Sequence, residues 1–293
     1  MISCKNMRML WVMAWAASLG AQDFSKVQIE KVAGGYQYTE GPLWSKDGFL
    51  LFSEVPSGKI LKLVGGLPVS VFRADSHGAH GSTFDAQGRL ITCETKSRRV
   101  TRTDKTGKIE VLAERFEGKR LNAPNDVVAR KDGNLYFTDP AFGGQATGRE
   151  LDFYGVYRIG PKGELELVAK TPGRPNGIAL SPKGDRLYVA DSDERLIRVF
   201  DVDRAGKAGN GRVLISGIDG PPDGIRTDEK GGIWVACNAV VVYGEDGKMT
   251  GRMEMPEPPR NLAFGDPDYQ TLYVTALKSV YRIRLGVKGH IVY

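Results

Sequence analysis

A unit that recurs six times along the chain constrains its fold more than any other feature of the sequence. Each unit joins two apolar stretches through a turn that contains Gly or Asp, as in NGIALSPKGDRLYVAD at residues 176–191. A polar residue, called the opener here, begins each unit, and successive openers are 38 to 51 residues apart. The openers are Glu40, His80, Asn125, Asn176, Asp223 and Asn261. A repeat of this length indicates copies of one small supersecondary unit.

The opener keeps a nearly constant distance from the end of the second apolar stretch, 14 residues in four units and 15 in two. Further strand-like runs lie between the units, for example residues 59–63 and 196–200. Four short strands at this period are typical of one β-propeller blade, whereas the strands of a β-sandwich lack such a fixed phase. The sequence therefore predicts an all-β fold, a six-bladed propeller of four-stranded antiparallel blades. Residues 27–32 are expected to add the outer strand of blade six.

Composition agrees with a soluble globular protein rich in turns. Hydrophobic residues make up 41% of the chain and charged residues 26%, with 37 Gly and 15 Pro. The net charge of +6 comes from Lys and Arg residues that are scattered along the sequence. This distribution does not form the basic stripe of a nucleic-acid-binding domain, so we expect no nucleic-acid partner.

The N-terminus has the pattern of a secretory signal peptide. Lys5 and Arg8 precede an apolar run at residues 9–17, and small residues follow at 18–21. The apolar run is too short to span a bilayer as a helix. We therefore expect a signal peptide at residues 1–21, a propeller domain at 22–293, and a secreted or periplasmic protein with no membrane contact after cleavage. An amphipathic or disordered N-terminal extension is the alternative.

The openers are candidates for a shared site. The innermost strand of each propeller blade lines the central channel, so residues at equal phase before these strands meet at one mouth. Asn or Asp before Gly is more often a simple turn former. Here, however, the turn of each hairpin is supplied by a later segment, such as residues 131–133, and three openers follow a proline that fixes the backbone.

Among the openers, Glu40 and Asp223 are carboxylates, Asn125 and Asn176 are amides, and all four offer oxygen donors. No pair of Cys or His is expected at the same mouth, which disfavours zinc and copper. Ca²⁺ takes about six to eight oxygen ligands, so four protein ligands would leave positions open for water or substrate. Two carboxylates would balance its charge. We expect a Ca²⁺ site, with Mg²⁺, Mn²⁺ or Zn²⁺ as alternative ions.

At these residues the sequence resembles the senescence marker protein/gluconolactonase (regucalcin-like) family. The matching stretches are EGPLW, RLNAPNDVVARKDGNLYFTDPAFG, RPNGIALSPKGDRLYVADS and PPDGIRTDEKGGIWVA. The run FTDPAFGG around Asp139 is similar to the bacterial lactonase branch. The resemblance implies a six-bladed propeller with one divalent ion in its channel, held at the positions of Glu40, Asn125, Asn176 and Asp223. It also implies that Asp223 transfers a proton.

The function expected from this resemblance is metal-dependent hydrolysis of a lactone or similar cyclic ester, a carboxylic ester hydrolase activity. The metal would polarise the carbonyl group, and Asp223 would move the proton. Substrate contacts are expected from His80, Asn125 and Asp139. His80 could instead be a hydrogen-bonded spacer, and Asp139 could instead support the site from behind. The partner is a small-molecule lactone or ester, and the protein is expected to be a monomer or small homo-oligomer.

Two other functions stay open on the sequence. One is hydrolysis of phosphotriesters, and the other is a non-catalytic, ligand-binding propeller in which Ca²⁺ is structural, because propellers host many functions. The two cysteines of the propeller, Cys93 and Cys237, fall in blades two and five. They are expected to be separate buried thiols, since opposite blades lie beyond the ~7 Å Cα separation that a disulfide allows.

Overall fold

Six antiparallel sheets of four strands follow one another in the computed structural model, which describes residues 23–291. The inner strands of successive sheets contact each other in turn, and the inner strand of the sixth sheet contacts that of the first. The sheets therefore form a closed ring, and the prediction of a six-bladed β-propeller is confirmed. The signal peptide expected at residues 1–21 lies outside the described residues.

The strands of each blade run from the channel outward in chain order. Blade one contains Thr39–Ser45, Phe49–Glu54, Lys59–Val64 and Ser70–Arg73, and blade two contains Ala79–Phe84, Leu90–Glu94, Arg99–Thr103 and Ile109–Ala113. Blade three contains Val127–Ala129, Leu135–Asp139, Tyr154–Ile159 and Leu165–Thr171, and blade four contains Pro175–Leu180, Arg186–Asp191, Leu196–Val202 and Ala208–Ile215. Blade five contains Ile225–Thr227, Ile233–Ala236, Val240–Tyr243 and Met249–Met253. Blade six contains Pro259–Gly265, Thr271–Ala276 and Ser279–Arg284.

Blade six takes its outer strand from the other end of the chain, which confirms the expected closure. Ile29–Gly34 pairs antiparallel with Ser279–Arg284. A short ribbon, Arg115–Phe116 with Lys119–Arg120, and a 3₁₀ turn, Gly143–Ala146, lie outside the blades. Among residues 23–291, no helix has the length and apolar character needed to cross a bilayer.

The core lies between neighbouring blades. The second strand of every blade is buried along nearly its whole length, because another sheet packs on each of its faces. Trp234 of blade five, for example, meets Phe264 of blade six edge to face, with ring centroids 5.5 Å apart. Cys93 and Cys237 are buried and unpaired, as expected.

Irregular pairing at the openers directs their side chains toward the channel mouth. The register between the first and second strands shifts at Glu40, at His80, at Asn176 and beside Asn261. Such bulges re-aim a side chain out of the regular ladder. In blades three and five the inner strand begins only after the opener. The openers thus precede or interrupt the ladder.

The glycine that follows several openers allows adjacent inner strands to touch. A Cβ atom on Gly177 would lie 2.2 Å from the carbonyl oxygen of Asp223, and the Gly177 amide donates a 3.0 Å hydrogen bond to that oxygen. A Cβ atom on Gly41 would lie 2.0 Å from the carbonyl oxygen of His80. These glycines therefore serve close packing between blades and are not the turns of hairpins.

Candidate active site

Five openers from five blades line one cavity of about 630 Å³. They are Glu40, His80, Asn125, Asn176 and Asp223. This is the convergence that equal phase in a propeller predicts. The remaining residues of the wall come from the segments just before or at the start of the inner strands, from the ends of the second strands of blades one and four, and from the loop that contains Phe142.

The sixth predicted opener, Asn261, does not line the cavity, so its expected place at the channel mouth needs correction. The strand pairing of blade six puts Arg260 at that position, and Asn261 supports the cavity from behind. Its Nδ2 atom donates a 3.2 Å hydrogen bond to Oε2 of Glu40, and its Oδ1 atom accepts one from the Leu262 amide at 2.8 Å. The Gly41 amide donates to the same Glu40 oxygen at 3.0 Å. Asn261 therefore holds the Glu40 carboxylate in position.

The two amide openers in the wall are fixed by the surrounding backbone and side chains. Asn176 Nδ2 donates to Oγ of Ser192 at 3.1 Å, and Ser192 donates to the Pro222 carbonyl at 2.7 Å. Because the nitrogen of Asn176 is used in this way, its Oδ1 atom is the one left for a ligand. The backbone N–H of Asn125 donates to the Thr138 carbonyl at 2.9 Å, which anchors the backbone at this opener.

The site brings together two carboxylates with little compensating charge. Burial raises the pKa of Glu40 to about 7. Burial and the nearby charge of Glu40 raise the pKa of Asp223 well above its usual value. The Arg260 guanidinium is 3.9 Å from Asp223, which is longer than a hydrogen bond. Burial, together with these carboxylates, also raises the pKa of the Tyr38 phenol in the same wall.

An ion pair between a buried carboxylate and a partly exposed guanidinium lies beside the site. Asp126, the residue after the opener Asn125, has Oδ2 3.2 Å from Nη1 of Arg226, 100 residues along the chain in blade five. Its Oδ1 atom accepts from the Val127 amide at 2.9 Å. The pair links blades three and five and neutralises a third carboxylate close to Glu40 and Asp223.

His80 faces the cavity as a neutral imidazole. Burial lowers the pKa of His80 to about 4, so the ring carries no charge at neutral pH. Its Nδ1 atom is buried and has no hydrogen-bond partner among residues 23–291. Because this nitrogen is buried, it is not available to a ligand in the cavity, which would meet another part of the ring.

Asp139 does not reach the cavity, so the expectation that it contacts the substrate needs correction. Its side chain is fully buried, and both oxygens accept backbone hydrogen bonds, Oδ2 from Asn122 at 2.8 Å and Oδ1 from Ala123 at 2.7 Å. Burial raises the pKa of Asp139 to about 7. The carboxyl group of Asp139 fixes the segment that leads to Asn125. Asp139 therefore supports the site from behind, which was the alternative role expected from the sequence.

Five polar residues of the wall were not predicted from the sequence: Ser192 and Asp193, which follow the second strand of blade four, and three residues that precede an opener position or Asn261. Tyr38 and Arg174 come two residues before an opener, and Arg260 comes directly before Asn261. Position relative to the openers is therefore the signal that could have found these three. Arg174 is held by Asp193 through contacts of 2.6 to 3.1 Å, and its guanidinium lies 4.6 Å from the ring centre of Phe142.

The donor set of the cavity suits a hard divalent cation. Among residues 23–291, no three His, Cys, Asp or Glu side chains come together as an ion site, so a cation here would need the amide oxygens as well. Two carboxylates and two amides offer only oxygen, which Ca²⁺ and Mg²⁺ prefer. A bound cation would also offset two carboxylates that are costly to bury together. Glu40, Asn125, Asn176 and Asp223 thus fit the cation expected from the sequence.

Comparison with known proteins identifies the relatives of this chain. A gluconolactonase from Zymomonas mobilis is 31% identical, and the match covers 89% of this chain and 82% of that protein. The structure of a gluconolactonase from Xanthomonas campestris superposes with a TM-score of 0.83 at 31% identity, covering 89% of this chain and 90% of the other. A diisopropyl-fluorophosphatase from Loligo vulgaris is 28% identical over 84% of this chain and 87% of its own length.

Residues 38–278 match the family described as SMP-30/Gluconolactonase/LRE-like region. The match contains blades one to five, the two inner strands of blade six and every residue of the cavity wall. The resemblance inferred from the sequence is confirmed. This chain belongs to the SMP-30/gluconolactonase/LRE-like family.

Proposed function

We propose that this protein hydrolyses lactones or similar cyclic esters and uses a divalent cation, with Ca²⁺ preferred. The observation that carries the proposal is the meeting of Glu40, Asn125, Asn176 and Asp223 in one cavity. A cavity of 630 Å³ is within the range of about 300–1,000 Å³ that is usual for small-molecule sites. The gluconolactonases to which the chain is similar support the same chemistry.

The four oxygen donors would hold the cation, which when bound would draw electron density from the ester carbonyl. Asp223 would accept a proton from the attacking water and return it to the ring oxygen that leaves as the ester bond breaks. A carboxylate beside a cation is a modest base, which suits an activated ester better than an amide. Asp223 acts on the reacting atoms, whereas Asn261 keeps Glu40 in place.

Two neutral groups would orient the substrate. The Tyr38 phenol stays protonated because the pKa is raised, so it can donate a hydrogen bond into the cavity. The His80 imidazole is neutral and lines the cavity, where the ring can accept or donate a hydrogen bond, depending on the tautomer. Both groups suit the hydroxyl groups of a sugar-derived lactone.

A lactone panel tests the proposal. Acid release from aldono-1,4- and aldono-1,5-lactones would be followed with a pH indicator, before and after treatment with EDTA and after readdition of Ca²⁺, Mg²⁺, Mn²⁺ or Zn²⁺. We expect turnover that EDTA abolishes and that Ca²⁺ restores best. Absence of turnover on the whole panel with every ion would contradict the proposal. An unchanged melting temperature after chelation would contradict the cation site.

Phosphotriester hydrolysis is the second candidate, and the similarity to a diisopropyl-fluorophosphatase is the observation in its favour. A fluorophosphate substrate belongs in the same panel, with fluoride release as the readout. Turnover of this substrate without turnover of any lactone would favour the second candidate. If nothing is turned over but Ca²⁺ still raises the melting temperature, the protein is a binding propeller with structural Ca²⁺.

We also propose that the protein is exported. The basic start, the apolar run at residues 9–17 and the small residues at 18–21 support this. A fusion of residues 1–30 to a reporter that is active only outside the cytoplasm should give signal. Replacement of three apolar residues of the run by aspartate should abolish that signal.

A further inference from the structure

Arg260 occupies the position of the opener in blade six. In blades one, two and four the residue before the opener pairs with the last residue of the second strand, and in blade six the residue that pairs in this way is Pro259, with Ala276. The carbonyl of Arg260 accepts the Gly224 amide at 2.8 Å, just as the carbonyl of the opener Asp223 accepts the Gly177 amide at 3.0 Å. An arginine side chain therefore faces the cavity where the other five blades present a carboxylate, an amide or an imidazole.

The guanidinium of Arg260 lacks close partners in the protein. Its Nη1 atom is 3.9 Å from Oδ2 of Asp223, and its Nε atom is buried with no hydrogen-bond partner among residues 23–291. The guanidinium lies 5.5 Å from the ring centre of Tyr38, which limits its movement. Arg174, the other arginine of the wall, is by contrast bound by Asp193 through three short contacts. Arg260 is thus held in place, and since Nε is buried, the donors left for a ligand are those of the Nη atoms.

The charge of the cavity leaves Arg260 uncompensated once a divalent cation is present. The ionisable acids of the wall are Glu40, Asp193 and Asp223. Asp193 neutralises Arg174, and the carboxylates of Glu40 and Asp223 would balance the cation. One positive charge, that of Arg260, remains in a partly desolvated pocket. A ligand with one negative charge would restore neutrality.

We propose that Arg260 binds a carboxylate on the substrate, so that the preferred substrate is a lactone with one free carboxylate in addition to its ring ester. This inference rests on the lactone hydrolysis proposed above. The planar fork of an arginine matches the two oxygens of a carboxylate. A single surplus charge also suits a carboxylate monoanion better than a phosphate dianion. Arg260 would be a specificity-determining residue and would not take part in the proton transfer.

Pairs of lactones that differ only at one carbon provide the test. D-Glucaro-1,4-lactone carries a carboxylate where D-glucono-1,4-lactone carries a hydroxymethyl group, and the galactose- and mannose-configured pairs repeat the comparison. We expect the wild-type kcat/KM to favour the anionic member of at least one pair by about tenfold or more, since charge-assisted hydrogen bonds contribute about 1.5–3 kcal/mol. Arg260→Gln should remove most of this ratio. Arg260→Lys should keep part of it.

A matched control and a binding measurement separate recognition from structural support. Arg212 lies on the outer strand of blade four and forms an exposed ion pair with Asp201. Arg212→Gln removes this guanidinium and should leave the kcat/KM ratio of each lactone pair as in the wild type. Calorimetry on the Ca²⁺-loaded protein should give tighter binding of the aldarate dianion than of the aldonate monoanion. Arg260→Gln should reduce this difference about tenfold.

The outcomes that overturn the inference differ from those that overturn the function. Turnover of neutral lactones with no preference for the anionic members would be consistent with lactone hydrolysis but would contradict the proposed role of Arg260. Equal losses on both members of a pair in Arg260→Gln would mean that Arg260 merely neutralises Asp223. Turnover of neither member of any pair, on the other hand, would count against sugar-lactone hydrolysis itself.

Discussion

Asn261 in the last blade donates a hydrogen bond from Nδ2 to Oε2 of Glu40 in the first blade, at 3.2 Å. The bond joins the two ends of the ring at the point where the cation is expected. Asn261→Ala should therefore release the Glu40 carboxylate and weaken Ca²⁺ binding about tenfold or more, the usual effect of losing a group that orients a metal ligand. Calorimetric titration with Ca²⁺ measures this.

Asn238→Ala is the matched control for this prediction. Asn238 also donates to a carboxylate, Oδ1 of Asp219 at 2.9 Å, but on the exposed surface of blade five. The Ca²⁺ affinity of the Asn238→Ala variant should equal that of the wild type. If Asn261→Ala also binds Ca²⁺ like the wild type, Glu40 does not need this hydrogen bond, or it is not a ligand.

The sequence predicted the blades and the cavity openers because both follow from periodicity. Residues at equal phase in equal units take equivalent positions around the ring, so Glu40 and Asp223 could be assigned to one mouth without any knowledge of the packing. Arg260 was missed because the next residue, Asn261, has the same chemical type as the other openers, although Pro259 precedes Arg260 as a proline precedes the openers of blades three, four and five. Asp139 was misplaced because the strand pattern does not reveal which strand ends are covered by a neighbouring loop. Gly177 resembled a turn residue, although its role is contact between blades.

Asp223 has a role that can be separated from cation binding. Asp223→Asn keeps one oxygen for the cation but removes the ability to accept a proton. We expect kcat to fall by about 10² to 10⁴, the usual contribution of general acid–base catalysis, while Ca²⁺ still binds weakly. Single-turnover rates on the best lactone and calorimetry on the same sample provide the two readouts. Wild-type rates in this variant would remove Asp223 from the mechanism.

The ion pair between Asp126 and Arg226 should contribute to stability through the charge that it neutralises. Arg226→Met leaves the buried Asp126 carboxylate unpaired, which should lower the free energy of unfolding by about 3 kcal/mol. The double variant Asp126→Asn/Arg226→Met should recover part of this loss, because neither position of the former pair then carries a charge. Urea denaturation of the EDTA-treated protein measures both values.

The control for the ion pair is Arg282→Met, which breaks an exposed pair with Glu30. It should cost less than about 1 kcal/mol, as is usual for surface pairs. Equal effects of Arg226→Met and Arg282→Met would show that the pair beside the site behaves as a surface pair. A double variant less stable than Arg226→Met would contradict the charge explanation.

Close contact between blades makes Gly177 intolerant of a side chain. In Gly177→Ala the new Cβ atom would lie 2.2 Å from the Asp223 carbonyl, so blades four and five must move apart. We expect a loss of about 1–3 kcal/mol in unfolding free energy, as for other overpacked sites, together with weaker Ca²⁺ binding. Gly209→Ala, on the outer strand of the same blade with open space around it, should change neither quantity. Comparable stability of the two variants would show that the blades separate at little cost.

Asp139 should make stability depend on pH. Its pKa is about 7 in the folded protein and near 3.8 in the unfolded chain, so the folded state holds the proton more tightly. Its stabilising effect is therefore complete below pH 4 and is lost as the pH rises through 7, with a slope of at most about 1.4 kcal/mol per pH unit. Asp139→Asn should reduce the wild-type decline in unfolding free energy between pH 5 and 7.5, measured in EDTA, while Glu40 and Asp223, whose pKa values are also raised, keep part of it. Asp104→Asn, at an exposed turn, should keep the wild-type slope, and an unaltered slope in Asp139→Asn would mean that Asp139 is ionised throughout this range.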